Sequence, residues 1–433
     1  MTRVIEYLLY LFIFFIPWQA RWVIRVGAIG SPSKGSGNNF WEYGTVALYA
    51  TDLIFALILA LSIIWFIQKK VSTTISNFKF LISKQSSSPK SQIFKVTAYC
   101  LLLTAYAFFS IFWSSEKLVT FYAALKLFEG IALFFLIRSL PIDRSKLVWA
   151  FVASAVAQSI LAVAQFFMQS VFVWPFSGIA PQDPSDLGVS VVQFADERWL
   201  RAYGSFPHPN ALGTFLAIAL LLMTSQIAKI KSKKILFASG YLLVASGLFL
   251  TFSRAAWIAF LVGFIIYVVQ SKAWREKIFL QLTLLLVVTT TVLTVLFFPL
   301  VRTRIGGGSR LEIQSNQERT TGYREAAQLI RRHPFVGVGI GNYTAAVARE
   351  LRPNDLAWSY QPVHNVFLLV LSELGFVGFV LFAISFLLLI KKLRVTSYQL
   401  LIPLAILASF DHSLWTLHSG IFLLWLTLAM DGA

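Results

Sequence analysis

The chain has 433 residues, of which 57% are hydrophobic and only 13% charged, with a mean hydropathy of +0.72. A soluble domain is typically about a quarter charged, so this composition excludes a water-soluble globule and makes lipid the solvent for much of the chain. A formal charge of +18 points first to nucleic acid, but the basic residues are scattered over short loops and give that reading no support, and the single Cys100 excludes a disulfide framework or cysteine metal site.

A helix needs about 20 apolar residues to cross about 30 Å of hydrocarbon. Twelve runs qualify or come close: 4–18, 45–67, 96–113, 118–137, 147–172, 209–226, 235–251, 255–270, 279–300, 364–390, 398–411 and 416–431. The expected fold class is an all-α polytopic integral membrane protein of about 12 transmembrane helices, one membrane domain over residues 1–433. Arg3 ahead of an apolar run resembles a secretory signal. The candidate cleavage site ends in Trp18-Gln19-Ala20, where the −3 position wants a small residue, so a retained first span is expected.

Lys and Arg near span ends set orientation. With the N-terminus inside, every inside loop is basic: 20 Lys and Arg against four acids, 15 of the 20 being lysines. Both termini are therefore expected on the cytoplasmic side. The outer segments carry 16 basic residues against 12 acids, and 14 of those 16 are arginines, the exceptions being Lys34 and Lys117. Topology does not require that split. Arginine presents a planar, permanently charged fork that binds phosphate bidentately, so an arginine-biased outer face hints at a phosphorylated ligand; interface pairing and snorkelling are the plain alternative.

Two excursions carry little chemistry. Residues 68–95, rich in Ser and Lys with Ser86-Ser87-Ser88-Pro89, read as a flexible basic cytoplasmic linker attracted to anionic headgroups. Residues 27–39 read as an irregular outer loop. The long outer segment 301–363 opens on Gly306-Gly307-Gly308, then Gln317 to His333 reads as an amphipathic helix ended by Pro334. A second short helix is expected over about 342–352. Between them Gly337, Gly339 and Gly341 alternate. Glycines before a helix N-terminus can bind an anion through free backbone N–H groups; a tight turn needing φ > 0 explains them at least as well.

Arg254, in Thr251-Phe252-Ser253-Arg254-Ala255-Ala256-Trp257, stands between two apolar runs with almost no loop around it, which makes it a functional candidate. Arg319 opens the amphipathic helix. His364, where the outer loop re-enters the membrane ahead of Asn365, is well placed as a general base. Glu373, nine residues further on, falls on the opposite helix face and is expected to bond a neighbouring helix. His208 and His412 stand at outer span ends, His333 at a helix C-terminus and His418 toward the bundle; each reads mainly as structural. Lys126 and Glu129 are spaced as an ion pair, and Asp52 needs a partner, for which an arginine is the obvious choice. No Asp-x-Asp, Cys/His cluster or His-Glu-x-x-His occurs, so no metal or other cofactor is expected and arginines would have to neutralise a diphosphate.

Taken in order, Pro209-Asn210-Ala211-Leu212, Thr-Phe-Ser-Arg254, the Arg319 helix leading to His333-Pro334-Phe335-Val336-Gly337-Val338-Gly339-Ile340-Gly341-Asn342-Tyr343, and His364-Asn365-Val366-Phe367 with Glu373-Leu374-Gly375 resemble the O-antigen ligase/polymerase family over about residues 200–380. The resemblance implies a GT-C-like membrane glycosyltransferase. Such an enzyme moves a glycan from undecaprenyl diphosphate to an acceptor hydroxyl, on lipid A-core or another surface lipid or glycan. It works on the outer face of the inner (cytoplasmic) membrane, inverting and metal-independent. By position His364 would serve as base, Arg254 and Arg319 would hold the diphosphate, and Asn210, Asn365, Glu373, Asp52, Gly339 and Gly341 would support the site. Asn365 stands where ligases of the family often carry serine. The other readings are a surface-polysaccharide polymerase, a protein O-glycosyltransferase and, from a different class, a secondary transporter, for which no internal repeat is found.

Overall fold

The computed structural model describes residues 1–30, 40–77, 89–174, 177–227, 234–392 and 398–430. Its helices are α1 (Thr2–Phe15), α2 (Ala50–Asn77), α3 (Pro89–Phe109), α4 (Lys117–Ser139), α5 (Arg144–Met168), α6 (Pro209–Gln226), α7 (Lys234–Leu250), α8 (Arg254–Ser271), α9 (Lys277–Leu296), α10 (Phe298–Gly306), α11 (Arg310–Arg332), α12 (Tyr343–Ala346), α13 (Val366–Lys392), α14 (Tyr398–Phe410), α15 (Ser413–Thr416) and α16 (His418–Met430). Each of the twelve apolar runs contains one of them. Among the described residues seven helices (α2, α4, α5, α6, α8, α9 and α13) are long and apolar enough to cross a membrane, and four shorter stretches (in α3, α7, α14 and α16) are also apolar. The chain is a polytopic helical membrane protein.

It is not wholly helical. β1 (Arg21–Arg25) pairs antiparallel with β2 (Val46–Tyr49), and β3 (Val191–Phe194) with β4 (Glu197–Leu200). The apolar run at 45–67 thus begins as a strand: Val46 to Tyr49 is a short β-branched and aromatic stretch whose N–H and C=O groups find partners in β1 before the helix starts. The expected linker 68–95 is helical at both ends, as the tail of α2 and the start of α3; residues 78–88 lie outside the described residues, as does most of the expected loop 27–39.

Without water to drive helices together, close packing does so. α6 is buried along nearly its whole length, between α5, α7 and α8. α8 packs on α14, approaching so closely at Gly263 that a Cβ there would meet the Gln399 carbonyl at 2.7 Å. α9 buries only Phe279, Leu282 and Leu286, a single stripe at i, i+3 and i+7. Three charges within the spans pair with one another. Lys126 bonds Asp52 at 2.7 Å and Glu129 at 3.0 Å. The partner of Asp52 is therefore a lysine and not the expected arginine, because α4 brings Lys126 against α2 at that level. Asp52, Glu129 and His418 stand close enough to share a cation, and the Lys126 ammonium already bonds both carboxylates.

The segment 301–363 closes one end of the bundle. α11 starts seven residues before the expected Gln317, because Ser309 caps it, its hydroxyl accepting from the Glu312 N–H. Gly337, Gly339 and Gly341 have φ of 68°, 96° and 76°. The run lies along a break in α13 at Gly375, whose φ is 63°. Val338 N–H donates to Ser372 O at 3.0 Å, Gly339 N–H to Glu373 O at 2.8 Å and Phe376 N–H to Pro334 O at 2.8 Å. The turn reading of the glycines therefore holds. The one anionic group their backbone meets is internal, since the Gly341 N–H bonds the Glu373 side chain.

Candidate active site

The site is built on a turn between two helices. α7 ends at Leu250 and α8 begins at Arg254, with Phe252 fully buried in the left-handed region at φ 47°. A non-glycine residue held there is strained and persists only where its surroundings over-determine it. The surroundings are arginines. Arg201, which follows β4 and is 5% exposed, donates its Nε–H to Thr251 O at 2.7 Å. Arg304 of α10, 6% exposed, donates Nε–H to Phe252 O at 2.9 Å. Arg254 donates to Arg304 O at 3.3 Å. The carbonyls at the end of α7, which no helix bond satisfies, thus receive guanidinium groups.

A cavity of about 250 Å³ opens beside this turn, lined by Asn210, Ser253, Arg254, Ala255, Ile258, Arg304, Asn316, Arg319 and Phe410. Its volume lies below the roughly 300–1,000 Å³ of whole small-molecule sites, which suits a compact anionic headgroup. Glu312, Asn316 and Arg319 fall at i, i+4 and i+7 on α11, one face of the helix. Glu312, 3% exposed, bonds the Arg304 guanidinium and faces Arg254 Nη2 at 3.3 Å. Arg319 has no ion-pair or hydrogen-bond partner among the described residues. A larger cleft of about 480 Å³ lies across α10, between the β3–β4 turn and the start of α11, lined by Gln193, Arg302 and Arg310 among others. It offers no carboxylate or imidazole for acid–base work.

Asn210 links this cavity to the histidines. His208 caps α6, its Nδ1 accepting from Asn210 N–H at 3.1 Å; Nε2 must then carry the proton and donate to Ser190 Oγ at 2.9 Å. Burial, then Arg201, push its pKa down to about 3. His208 is thereby a structural cap. The Asn210 side chain accepts from Arg201 at 2.7 Å and donates to Asp411 at 3.2 Å. Asp411 is followed by His412, whose ring lies 5.1 Å from that of His364. Asn365 fixes the start of α13, accepting from Leu368 N–H at 3.0 Å and donating to Ser409 O at 3.1 Å. Burial first, then His412, push the His364 imidazole down to about 4. His412 is lowered too, by burial against the pull of Asp411. Burial opposes ionisation of Asp411, but the neighbouring histidines and the Ser413 N–H at 2.7 Å outweigh it, and we take its carboxyl as charged.

Of the residues singled out from sequence, Arg254, Arg319 and Asn210 line one cavity, and His364 and Asn365 stand at the other end of the Asn210–Asp411–His412 connection. Glu373, Asp52, Gly339 and Gly341 lie elsewhere. Glu373 receives the Trp415 indole N–H at 2.9 Å, as expected of a helix-to-helix bond. His333 ends α11 and meets Glu350 at 3.0 Å, and His418, buried in the bundle, bonds Thr51 at 2.7 Å. Arg201, Arg304 and Glu312 went unnoticed in the sequence. The signal for Glu312 was there: Ser309 three residues before a glutamate is a capping-box spacing, and starting the helix at that cap puts Glu312 and Arg319 on one face.

A helical membrane protein with a small arginine-lined cavity joined through Asn210 to a histidine–aspartate cluster is the class these features define. Residues 239–383, about a third of the chain, match the model of the O-antigen ligase family. The match runs from within α7 to within α13 and includes Arg254, Arg304, Glu312, Arg319 and His364. The family's activity is of ligase or polymerase type, with lipid-linked glycan and acceptor substrates. No curated protein matches the chain.

Proposed function

We propose that the protein is an O-antigen ligase-like glycosyltransferase that moves a glycan from undecaprenyl diphosphate to an acceptor hydroxyl on lipid A-core or another surface acceptor. It does so on the outer face of the cytoplasmic membrane, with inversion and without a metal. The observation that carries this reading is the convergence of Arg254, Arg304 and Arg319 on one cavity small enough for a diphosphate. Fixed guanidinium groups in a partly dehydrated site stabilise the charge that grows on a departing diphosphate. His364, kept neutral by burial, takes the acceptor proton. The acceptor oxygen then bonds the anomeric carbon from the face opposite the diphosphate. The bond from that carbon to the phosphate oxygen breaks, leaving its electron pair on the oxygen.

His364→Ala and Arg254→Ala should each abolish glycan transfer in a complementation assay while the protein still accumulates in the membrane. Near-normal transfer by either variant would sink the assignment. In a deletion strain, loss of surface attachment with carrier-linked polymer retained marks a ligase, and single repeat units alone a polymerase.

A further inference from the structure

Glu312 stands behind the lining of the arginine cavity, against two of the arginines that would meet an anion. It is a carboxylate, 3% exposed, at the wall where the arginines converge. One oxygen bonds Arg304; the other, Oε2, is buried without a hydrogen bond and only faces Arg254 Nη2 at 3.3 Å. A buried carboxylate is costly unless it is paired, and this one is paired by two guanidinium groups of the cavity. Its effect on the charge of the site is specific. The cavity and the bonded network behind it together hold four guanidinium groups (Arg201, Arg254 and Arg304 in the network, Arg319 on the lining) and two carboxylates (Glu312, Asp411). With neutral histidines that leaves two positive charges. A diphosphate diester, the form in which a carrier holds its glycan, carries two negative charges. The monoester left after transfer has one more ionisable oxygen.

We infer that Glu312 is a positioning and charge-matching residue: it holds Arg254 and Arg304 in the cavity and keeps the cavity's charge suited to the diphosphate diester, so that the monoester product is released. This rests on the diphosphate reading above. The cavity binds the donor through its arginines, and the extra negative charge that transfer creates is repelled by Glu312 behind Arg254 and Arg304, which weakens retention. Ser309 fixes Glu312 in the first turn of α11, and the bond of Glu312 to the Arg304 guanidinium ties α11 to α10.

The test uses full-length protein in detergent micelles with two soluble probes, farnesyl diphosphate as monoester and a farnesyl diphosphate monosaccharide as diester. Glu312→Gln should bind the monoester about tenfold more tightly, a conservative share of one charge–charge interaction across several ångströms of protein. Its affinity for the diester should change far less, so the monoester-to-diester ratio rises, and turnover should slow with stronger product inhibition. Glu312→Asp should keep the wild-type ratio. Equal weakening of both probes by Glu312→Gln, or an unchanged ratio, overturns the inference and leaves Glu312 a strut. If Glu312→Gln does not accumulate, a shifted ratio in Glu312→Asp overturns it and a retained ratio supports it. Wild-type protein that binds neither probe instead defeats the diphosphate reading itself.

Discussion

The ionisation of His364 is decided by neighbours that pull in opposite directions. Burial lowers its pKa to about 4, and His412 and Arg319 push the same way, while Asp411 pulls it up. A general base titrating there is already deprotonated across the neutral range, so kcat/KM should be level from about pH 5.5 to 7.5, with its acid limb well below the usual histidine value of about 6.5. The signs of the neighbour effects follow. Removing a like charge with His412→Ala should move the acid limb to higher pH; removing the carboxylate with Asp411→Asn should move it lower. Asp411→Asn leaves the bonds to Asn210 and Ser413 sterically possible, so residual activity should suffice for the profile. A wild-type limb near pH 6.5, or both variants shifting in the same direction, would show that His364 is not the titrating base. The sequence put His364 at the right place but gave no hint of this: Asp411 and His412 lie 47 and 48 residues away, and only the fold brings the second imidazole to 5.1 Å.

At the level of elements, the glycine run and the α13 break act as one device. A Cβ on Gly337 would meet Glu373 backbone at 2.4 Å, and one on Gly375 would meet Phe335 O at 2.3 Å. Both residues also have φ near +65°, which an L side chain adopts at a cost of roughly 1–2 kcal/mol before any clash. Gly337→Ala and Gly375→Ala should therefore each cost more than about 2 kcal/mol, seen as a lower melting temperature in detergent, and should displace Glu373 from the Trp415 indole. Gly306→Ala, where a Cβ meets nothing within 4 Å, should be nearly neutral and is the control. If the three variants melt alike, the docking of the run on α13 is not what holds this end. How legible was this from the sequence? The alternating glycines called for positive φ, and that is what they show. That their partner is a broken span was hidden, because Gly375 sits within an apolar run that periodicity reads as continuous helix. The start of α11 was missed for the opposite reason. Residues 310–316 are too polar for an apolar pattern to mark, and the local signal was the Ser309 cap.

Across the whole molecule, hydropathy was the most legible feature, since a span must satisfy its backbone within itself and carry apolar side chains nearly throughout. All twelve runs contain helices for that reason; of the departures, β1, β3 and β4 fall in the segments between runs, and β2 takes the first residues of the run 45–67. Charge distribution was legible in a coarser way. Inside the expected loops lysine dominates. At the end of the bundle closed by α11, Arg254, Arg304 and Arg319 line the cavity, and Arg304 and the neighbouring Arg201 are nearly fully buried. That contrast makes the orientation testable. If lysines serve topology and arginines the ligand, α11 faces outward while the α8–α9 connection faces the cytoplasm. The chain's lone cysteine, Cys100, is buried, so replacing it with alanine gives a clean background for single probes. Thr320→Cys, exposed on α11, should react with a membrane-impermeant maleimide in right-side-out vesicles. Ser271→Cys, exposed at the end of α8, should react only after the membrane is permeabilised. The reverse pattern would put the arginine cavity on the cytoplasmic side, among donors that have not been moved across the membrane, and would overturn the outer-face reading even with the cavity chemistry intact. Labelling of both sites from one side would mean that an odd number of membrane crossings does not separate α8 from α11 as α9 requires, and the span count itself would have to change.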